Sequence, residues 1–239
     1  MKKINIVFFD IGGTLVGSHS MFTYLSDKFD RKGDKSLEEF LAARFAEIYS
    51  NSNPPGFNTV VEMFAKLLKE ASNKLGLADL SNHAKEFYHD MFVDKAWLLE
   101  GAKENLAFLK KNHVKLIVAS DADSEVLFKE LQLLKIYDFF DEFIVSNKVG
   151  AYKPSDLFVK EAKKHCTKFK KSSIYFVGDS KSDVMTAKKL GVNSILMSSS
   201  EKAKETEPDY VFNNLNELLV FWVKRLNITN KVVKSDKIK

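Results

Sequence analysis

A second cysteine is missing from this 239-residue chain: Cys166 stands alone, which excludes an internal disulfide and a zinc cluster built on thiolates. Long apolar runs are missing as well. The run towards the C-terminal end, Leu218 to Val223, covers six residues, where a membrane-crossing helix needs about 18. The opening MKKINIVFF mimics the start of an export signal, but Asn5 interrupts it, Asp10 ends it and no small-residue cleavage pattern follows. A cytoplasmic protein without a membrane partner is expected, so the sequon at Asn227 is read as a chance match. A strong charge of one sign is also absent. The 37 basic and 32 acidic residues leave +5, and the last ten residues, with four Lys and one Asp, carry +3 of it. The expectation is a basic, disordered tail over 227–239 and no nucleic-acid surface. No internal repeat is found.

What is present is a core. Apolar residues make up 45% of the chain and include twenty Phe. Short apolar runs, at 4–9, 114–120, 142–146, 173–179, 193–198 and 209–212, alternate with segments of helical spacing. Residues 102–112 turn Leu106, Phe108 and Leu109 inward, and 124–134 do so with Val126, Leu127, Leu131 and Leu134. Ser155 reads as the cap of one helix and Gly191 as the left-handed stop of another. The expected fold is therefore α/β, a Rossmann-like parallel sheet covered on both faces. About a hundred residues separate the first two strands, too many for one crossover. Residues 20–95 hold no convincing strand and read as helices around 36–50, 59–76 and 80–92, with a break at NSNPPG. The expected organisation is a core of residues 1–16 and 96–226, with a helical insertion over 17–95 at the carboxyl edge of the sheet. Open α/β sheets bind ligands at that edge.

Chemistry gathers at the strand ends. The first strand delivers Asp10 into a glycine turn, Gly12-Gly13; the second ends in Ser120; the fourth ends in GDSKSD, which supplies Asp179 and Asp183. Lys153 lies in a loop before Pro154. In a parallel sheet these tips share one edge, so three carboxylates, a hydroxyl and an ammonium converge. Three acids beside one Lys call for a counter-charge, and Mg²⁺ suits carboxylate and carbonyl oxygens. Taken singly, each has a duller reading: a loop acid, a charge at a helix start, a surface lysine, or, for Ser120, a cap for the helix after it. Cys166 beside His165 reads as an inert thiol, Phe139, Phe140 and Phe143 as packing, and His89 has no partner at metal spacing.

The motifs FFDIGGTL, IVAS, YKP and VGDSKSD, in that order, resemble the four motifs of the haloacid dehalogenase-like (HAD) hydrolases, and PDYVFNNLNELL resembles that family's last strand and helix. The resemblance spans roughly residues 4 to 220. It implies a Mg²⁺-dependent phosphatase of a small phosphorylated metabolite, working as a monomer or homodimer with a helical cap over the site. Asp10 would be the nucleophile, forming an aspartyl-phosphate, and a metal ligand. The Gly12 carbonyl, Asp179 and Asp183 would complete the metal site. Ser120 would hydrogen-bond the phosphoryl oxygens, and Lys153 would neutralise Asp10 and the phosphate.

One departure matters. Phosphatases of the family read Asp-x-Asp, and the second Asp protonates the leaving alkoxide; here that position is Gly12. Losing such a group typically costs about 10²–10⁴ in rate. Aryl and acyl phosphates, whose leaving groups need little protonation, suffer less. Three readings stay open: a phosphatase of activated esters, or one borrowing an acid such as His19; a C–P or C–halogen hydrolase; or a catalytically weak binding protein. A phosphonatase would need a cap lysine, for which Lys28, Lys32 and Lys35 are available. A dehalogenase would need no metal, against which GDS argues. Asp121 follows Ser120 where the family often has Asn, and is read as a residue on the substrate side or as the missing acid.

Overall fold

The computed structural model describes residues 3–54, 56–198 and 205–226; the tail over 227–239 and its sequon lie outside them. Its centre is a six-stranded, fully parallel sheet in the order β5-β4-β1-β6-β7-β8. The strands are β1 (Ile6–Phe9), β4 (Lys115–Ser120), β5 (Glu142–Val145), β6 (Ile174–Gly178), β7 (Asn193–Met197) and β8 (Tyr210–Phe212). Each falls within one of the six apolar runs. β1 and β6 are buried along their whole length, as expected of strands covered on both faces.

The pleat sorts their side chains. Val7, Phe9, Val118 and Val177 face a layer that includes α5 (Ala102–Lys111), α6 (Ser124–Leu133) and the final described helix, Leu215–Arg225. Ile6, Phe8, Ile117 and Phe176 face α8 (Asp156–Cys166) and α9 (Lys181–Leu190), which follow the short α7 (Ser146–Val149). The Ser155 hydroxyl accepts the Phe158 amide at 3.3 Å, and Gly191 ends α9 in the left-handed conformation.

Between β1 and β4 the chain forms α1 (Met21–Lys28), α2 (Lys35–Ser50), α3 (Val60–Leu75) and α4 (Ala84–His89). These helices bury a core of their own around Leu25, Leu41, Phe64 and Leu67. The helix expected over 80–92 is broken: a tight turn precedes α4, and a wider one, Asp90–Asp94, follows it. Asp90 accepts the Tyr24 hydroxyl at 2.6 Å and the Lys95 ammonium at 2.8 Å, which ties that turn to α1. A short antiparallel pair, β2 (Val16–Gly17) with β3 (Trp97–Leu98), joins the two ends of the insertion. Two residues per strand carry no readable periodicity, so this pair is invisible in the sequence.

Several hydrogen bonds hold the insertion against the sheet edge. The Asp123 carboxylate accepts the Val60 and Val61 amides at 3.1 and 2.9 Å, at the start of α3. Asp123 occupies the cap position of its own helix, α6, so the duller reading of Ser120 as that cap does not hold. The Tyr152 hydroxyl donates to the Asn58 carbonyl at 2.7 Å, and Tyr49 reaches Asp121.

Candidate active site

The sheet order reverses direction at β1: the chain runs outward through β4 and β5, then returns to β6 on the other side. Ligands bind above such a switch point. Asp10 is the first residue beyond β1, its amide bonded to the Val177 carbonyl at 2.9 Å. Ser120 ends β4 next door, and Asp179 follows β6. Parallel register alone therefore brings residues from three distant stretches of sequence to one edge.

Lys153 is the hub. Its Nζ donates to Asp10 Oδ1 at 2.7 Å, to Asp183 Oδ1 at 2.6 Å and to the Ala119 carbonyl at 3.0 Å. Lys153 and Asp183 are only 2% and 1% exposed. Burial opposes the Lys153 charge, but the attraction of Asp10, Asp183 and Asp121 outweighs it and holds the ammonium pKa well above its usual range. Asp10 is pushed the other way. Burial, only partly opposed by Lys153 and reinforced by Asp183 and Asp179, raises its carboxyl well above the ordinary range.

Asp10, Asp179 and Asp183 each place an oxygen within 4.8 Å of the others. One ammonium does not balance three carboxylates, and this all-oxygen donor set fits a hard divalent ion such as Mg²⁺. Asp183 Oδ2 also accepts the Ser180 amide at 3.0 Å, so both of its oxygens are engaged.

The two glycines of the turn differ. Gly13 has φ +77°, and a Cβ there would lie 2.6 Å from Asp179 Oδ2. Only glycine fits both demands. Gly12 is under no such constraint: a Cβ there would meet nothing within 4 Å. The Ile11 carbonyl accepts from Thr14, Leu15 and Val16, whereas none of these turn bonds uses the Gly12 carbonyl. Gly12 opens on a cavity of about 500 Å³ together with Asp10, Ser120, Asp121, Lys153 and Asp179.

Asp121 is held from both sides: the Lys153 amide donates to Oδ1 and the Tyr49 hydroxyl to Oδ2, each at 2.9 Å. His19 packs against Trp97 in a tilted arrangement, with ring centroids 5.2 Å apart, and is not among the residues lining the cavity. Lys28, Lys32 and Lys35 are not among them either; Lys28 pairs with Asp90 and Lys35 with Glu38. Cys166 is buried and bonded to the Ala162 carbonyl at 3.5 Å, as an inert thiol should be.

Sequence reasoning missed Glu130. It is buried on α6 and lines the same cavity; burial, with the Asp10 charge adding, pushes its pKa up to about 8. The signal was there: Glu130 shares the inward stripe with Val126, Leu127 and Leu131. Its ionisation at about pH 4.5 in the unfolded chain precedes that in the fold, so stability falls as pH rises through this interval. Glu130→Gln is expected to remove that slope. The variant gains on the order of a few kcal/mol over wild type at pH 8.5 and little at pH 4.5, read by urea unfolding at both pH values.

Residues 7–197 match the family model for haloacid dehalogenase-like hydrolases. The chain belongs to that family. Among HAD relatives, a pyrophosphatase, PpaX, of Halalkalibacterium halodurans is 26% identical over 91% of this chain and 96% of its own. A glyceraldehyde 3-phosphate phosphatase of Pyrococcus furiosus is 24% identical over 98% and 99%. The HAD fold superposes on YfnB from Bacillus subtilis bound to magnesium, with a TM-score of 0.76 at 17% identity over 92% and 99% of the two chains. An L-2-haloacid dehalogenase from Xanthobacter autotrophicus with chloropropionic acid covalently bound gives 0.69 at 18% over 92% and 98%. No helix among the described residues is long and apolar enough to cross a membrane.

Proposed function

We infer that this HAD hydrolase is a Mg²⁺-dependent phosphatase of a small phosphorylated molecule, acting through phosphoryl transfer to Asp10. The observation that carries the reading is the set of three carboxylates around one buried lysine at the sheet switch point, with Asp10 opening on the cavity. Asp10, the Gly12 carbonyl and Asp179 would hold the ion, with Asp183 supporting them through Lys153 and Ser180. When bound, Mg²⁺ supplies positive charge against the phosphoryl oxygens.

The chain's own groups do the rest. Lys153 keeps Asp10 oriented and offsets its charge, and the Ser120 hydroxyl donates to a phosphoryl oxygen. An Asp10 carboxylate oxygen attacks phosphorus. The bond from phosphorus to the leaving oxygen breaks, and its electron pair leaves with that oxygen. Water then attacks the phosphorus of the aspartyl-phosphate, returning free Asp10 and inorganic phosphate. The leaving oxygen ends with one proton of that water. Residues 17–95 act as the cap that excludes bulk water during the first step.

Two alternatives lose ground on specific observations. A phosphonatase needs an amine in the cavity beyond Lys153, and no other lysine among the described residues lines it. A metal-free dehalogenase has no use for the three-acid cluster.

Gly12 sets the leaving group. Hydrolysis of an aryl phosphate is expected to exceed that of an alkyl phosphate by about 10²-fold or more, and EDTA should abolish both. Because a side chain at position 12 has free space, Gly12→Asp is expected to fold and to raise the alkyl rate at least about tenfold, the aryl rate far less. Equal rates on both esters in the wild type would mean that another acid serves the leaving oxygen. Glu130 would be the first to test.

A further inference from the structure

The cavity has two chemically distinct halves. Its floor is the reacting edge: Asp10, Ser120, Lys153 and Asp179. Its walls are apolar. Met21, Phe45 and Phe92, each half-buried, come from the helical insertion and face Val126 and Leu127 of α6. The insertion offers two hydroxyls among the lining groups, and both are turned to the core. Tyr49 donates to Asp121 at 2.9 Å, and Tyr88 accepts the Asp123 amide at 3.1 Å.

Charge points the same way. Lys153 is the only cationic side chain among the described lining residues, and it already serves two carboxylates. Asp10, Asp121, Glu130 and Asp179 supply acidic groups instead. A dianionic phosphoryl group can be met at the floor, but a second one would face carboxyls and hydrocarbon with no second cation among the described lining residues, and the Ser180 and Ser182 hydroxyls there already bond each other at 2.8 Å. Burying such a charge unpaired is costly. Apolar walls reward an apolar group in proportion to the area removed from water. Space is ample: an apolar cavity of about 150 Å³ takes one benzene ring, and this one is about 500 Å³.

We propose that the substrate is a phosphate monoester whose leaving group is an uncharged aromatic system of one or two rings, seated between Met21, Phe45 and Phe92, and that pyrophosphate is excluded. The proposal rests on the phosphatase reading above and agrees with Gly12, since a phenolate departs without a proton donor. It also separates this chain from the relative named as a pyrophosphatase.

The test uses the full chain with Mg²⁺ and two kinds of readout. Calorimetry compares three non-hydrolysable probes: phenylphosphonate, methylphosphonate and methylenediphosphonate. Phenylphosphonate is expected to bind at least about tenfold more tightly than methylphosphonate, because its ring is removed from water, with the bisphosphonate weakest. Turnover compares 1-naphthyl phosphate with pyrophosphate, and kcat/KM is expected to favour the ester by about 10²-fold or more.

Met21→Lys, at a half-buried wall position, should weaken phenylphosphonate and strengthen methylenediphosphonate, an inversion that misfolding would not produce. Methylphosphonate or the bisphosphonate binding as tightly as phenylphosphonate would overturn the substrate class, even with hydrolysis intact. Efficient turnover of pyrophosphate would do the same. Failure to hydrolyse any ester would instead sink the phosphatase reading, while the binding order of the three phosphonates would still decide the cavity's preference.

Discussion

Asp10→Asn is expected to lower kcat/KM for an aryl phosphate by at least about 10⁴-fold, the scale on which a nucleophile's removal is felt. Asparagine nearly matches aspartate in shape, so the variant keeps an oxygen for Lys153 Nζ, 2.7 Å away in the wild type, while its NH2 group takes the place of the oxygen that accepts the Thr14 hydroxyl and can donate to that hydroxyl instead. What it loses is the charge and the lone pair that attacks phosphorus. Removing the charge relieves the burial cost, and the repulsion from Asp183 and Asp179, that push the Asp10 pKa up, so stability should hold or rise slightly. A loss of activity with an unchanged unfolding curve marks a chemical role. Residual activity within about tenfold of wild type would exclude Asp10 as nucleophile.

Lys153→Ala has the second large effect, and it strikes stability as well as rate. Both of its ion pairs are buried, and deleting one partner leaves Asp10 and Asp183 facing each other without compensation. Breaking a buried pair in this way typically costs about 3–5 kcal/mol. The loss should depend on pH in a definite direction. Without the ammonium, the folded pKa of Asp10, already raised by burial, rises further above its unfolded value. The fold then binds protons that the unfolded chain has released, and the deficit grows as pH rises through neutrality and shrinks in mild acid. Urea unfolding at pH 5 and pH 8 reads the difference. Destabilisation below about 1 kcal/mol at pH 8 would mean that Lys153 is not the electrostatic hub.

These two residues were also the most legible in the sequence. A buried parallel sheet writes its strands as continuous apolar runs, so Phe9 to Asp10, Ala119 to Ser120 and Gly178 to Asp179 stand out as abrupt polar endings. Topology then places the endings side by side, and Lys153 joins them through Pro154 and the motif around it. The glycine turn was legible too, although only the coordinates separate Gly13, which the backbone and Asp179 require, from Gly12, which they do not.

What stayed hidden depends on contacts across the chain. Glu130 is one carboxyl in an ordinary amphipathic helix until β1 and the insertion close around it. Tyr49 and Asp121 lie 72 residues apart, and no local pattern announces their bond. The reading of Asp121 as a substrate-side residue changes accordingly: with both oxygens engaged, it is better suited to holding the cap and the Lys153 loop. His19 looked promising only because it follows the first motif, whereas Trp97 across the short β2–β3 pair takes its ring.

The most direct measurement is an acid quench of the wild-type chain during turnover of 1-naphthyl phosphate with Mg²⁺, followed by peptide mass analysis. The expected result is the added mass of one phosphoryl group on the peptide containing Asp10, lost on treatment with hydroxylamine and absent in Asp10→Asn. A phosphoryl group on any other peptide, or steady turnover that leaves no phosphoryl group on the chain at any quench time, would contradict it.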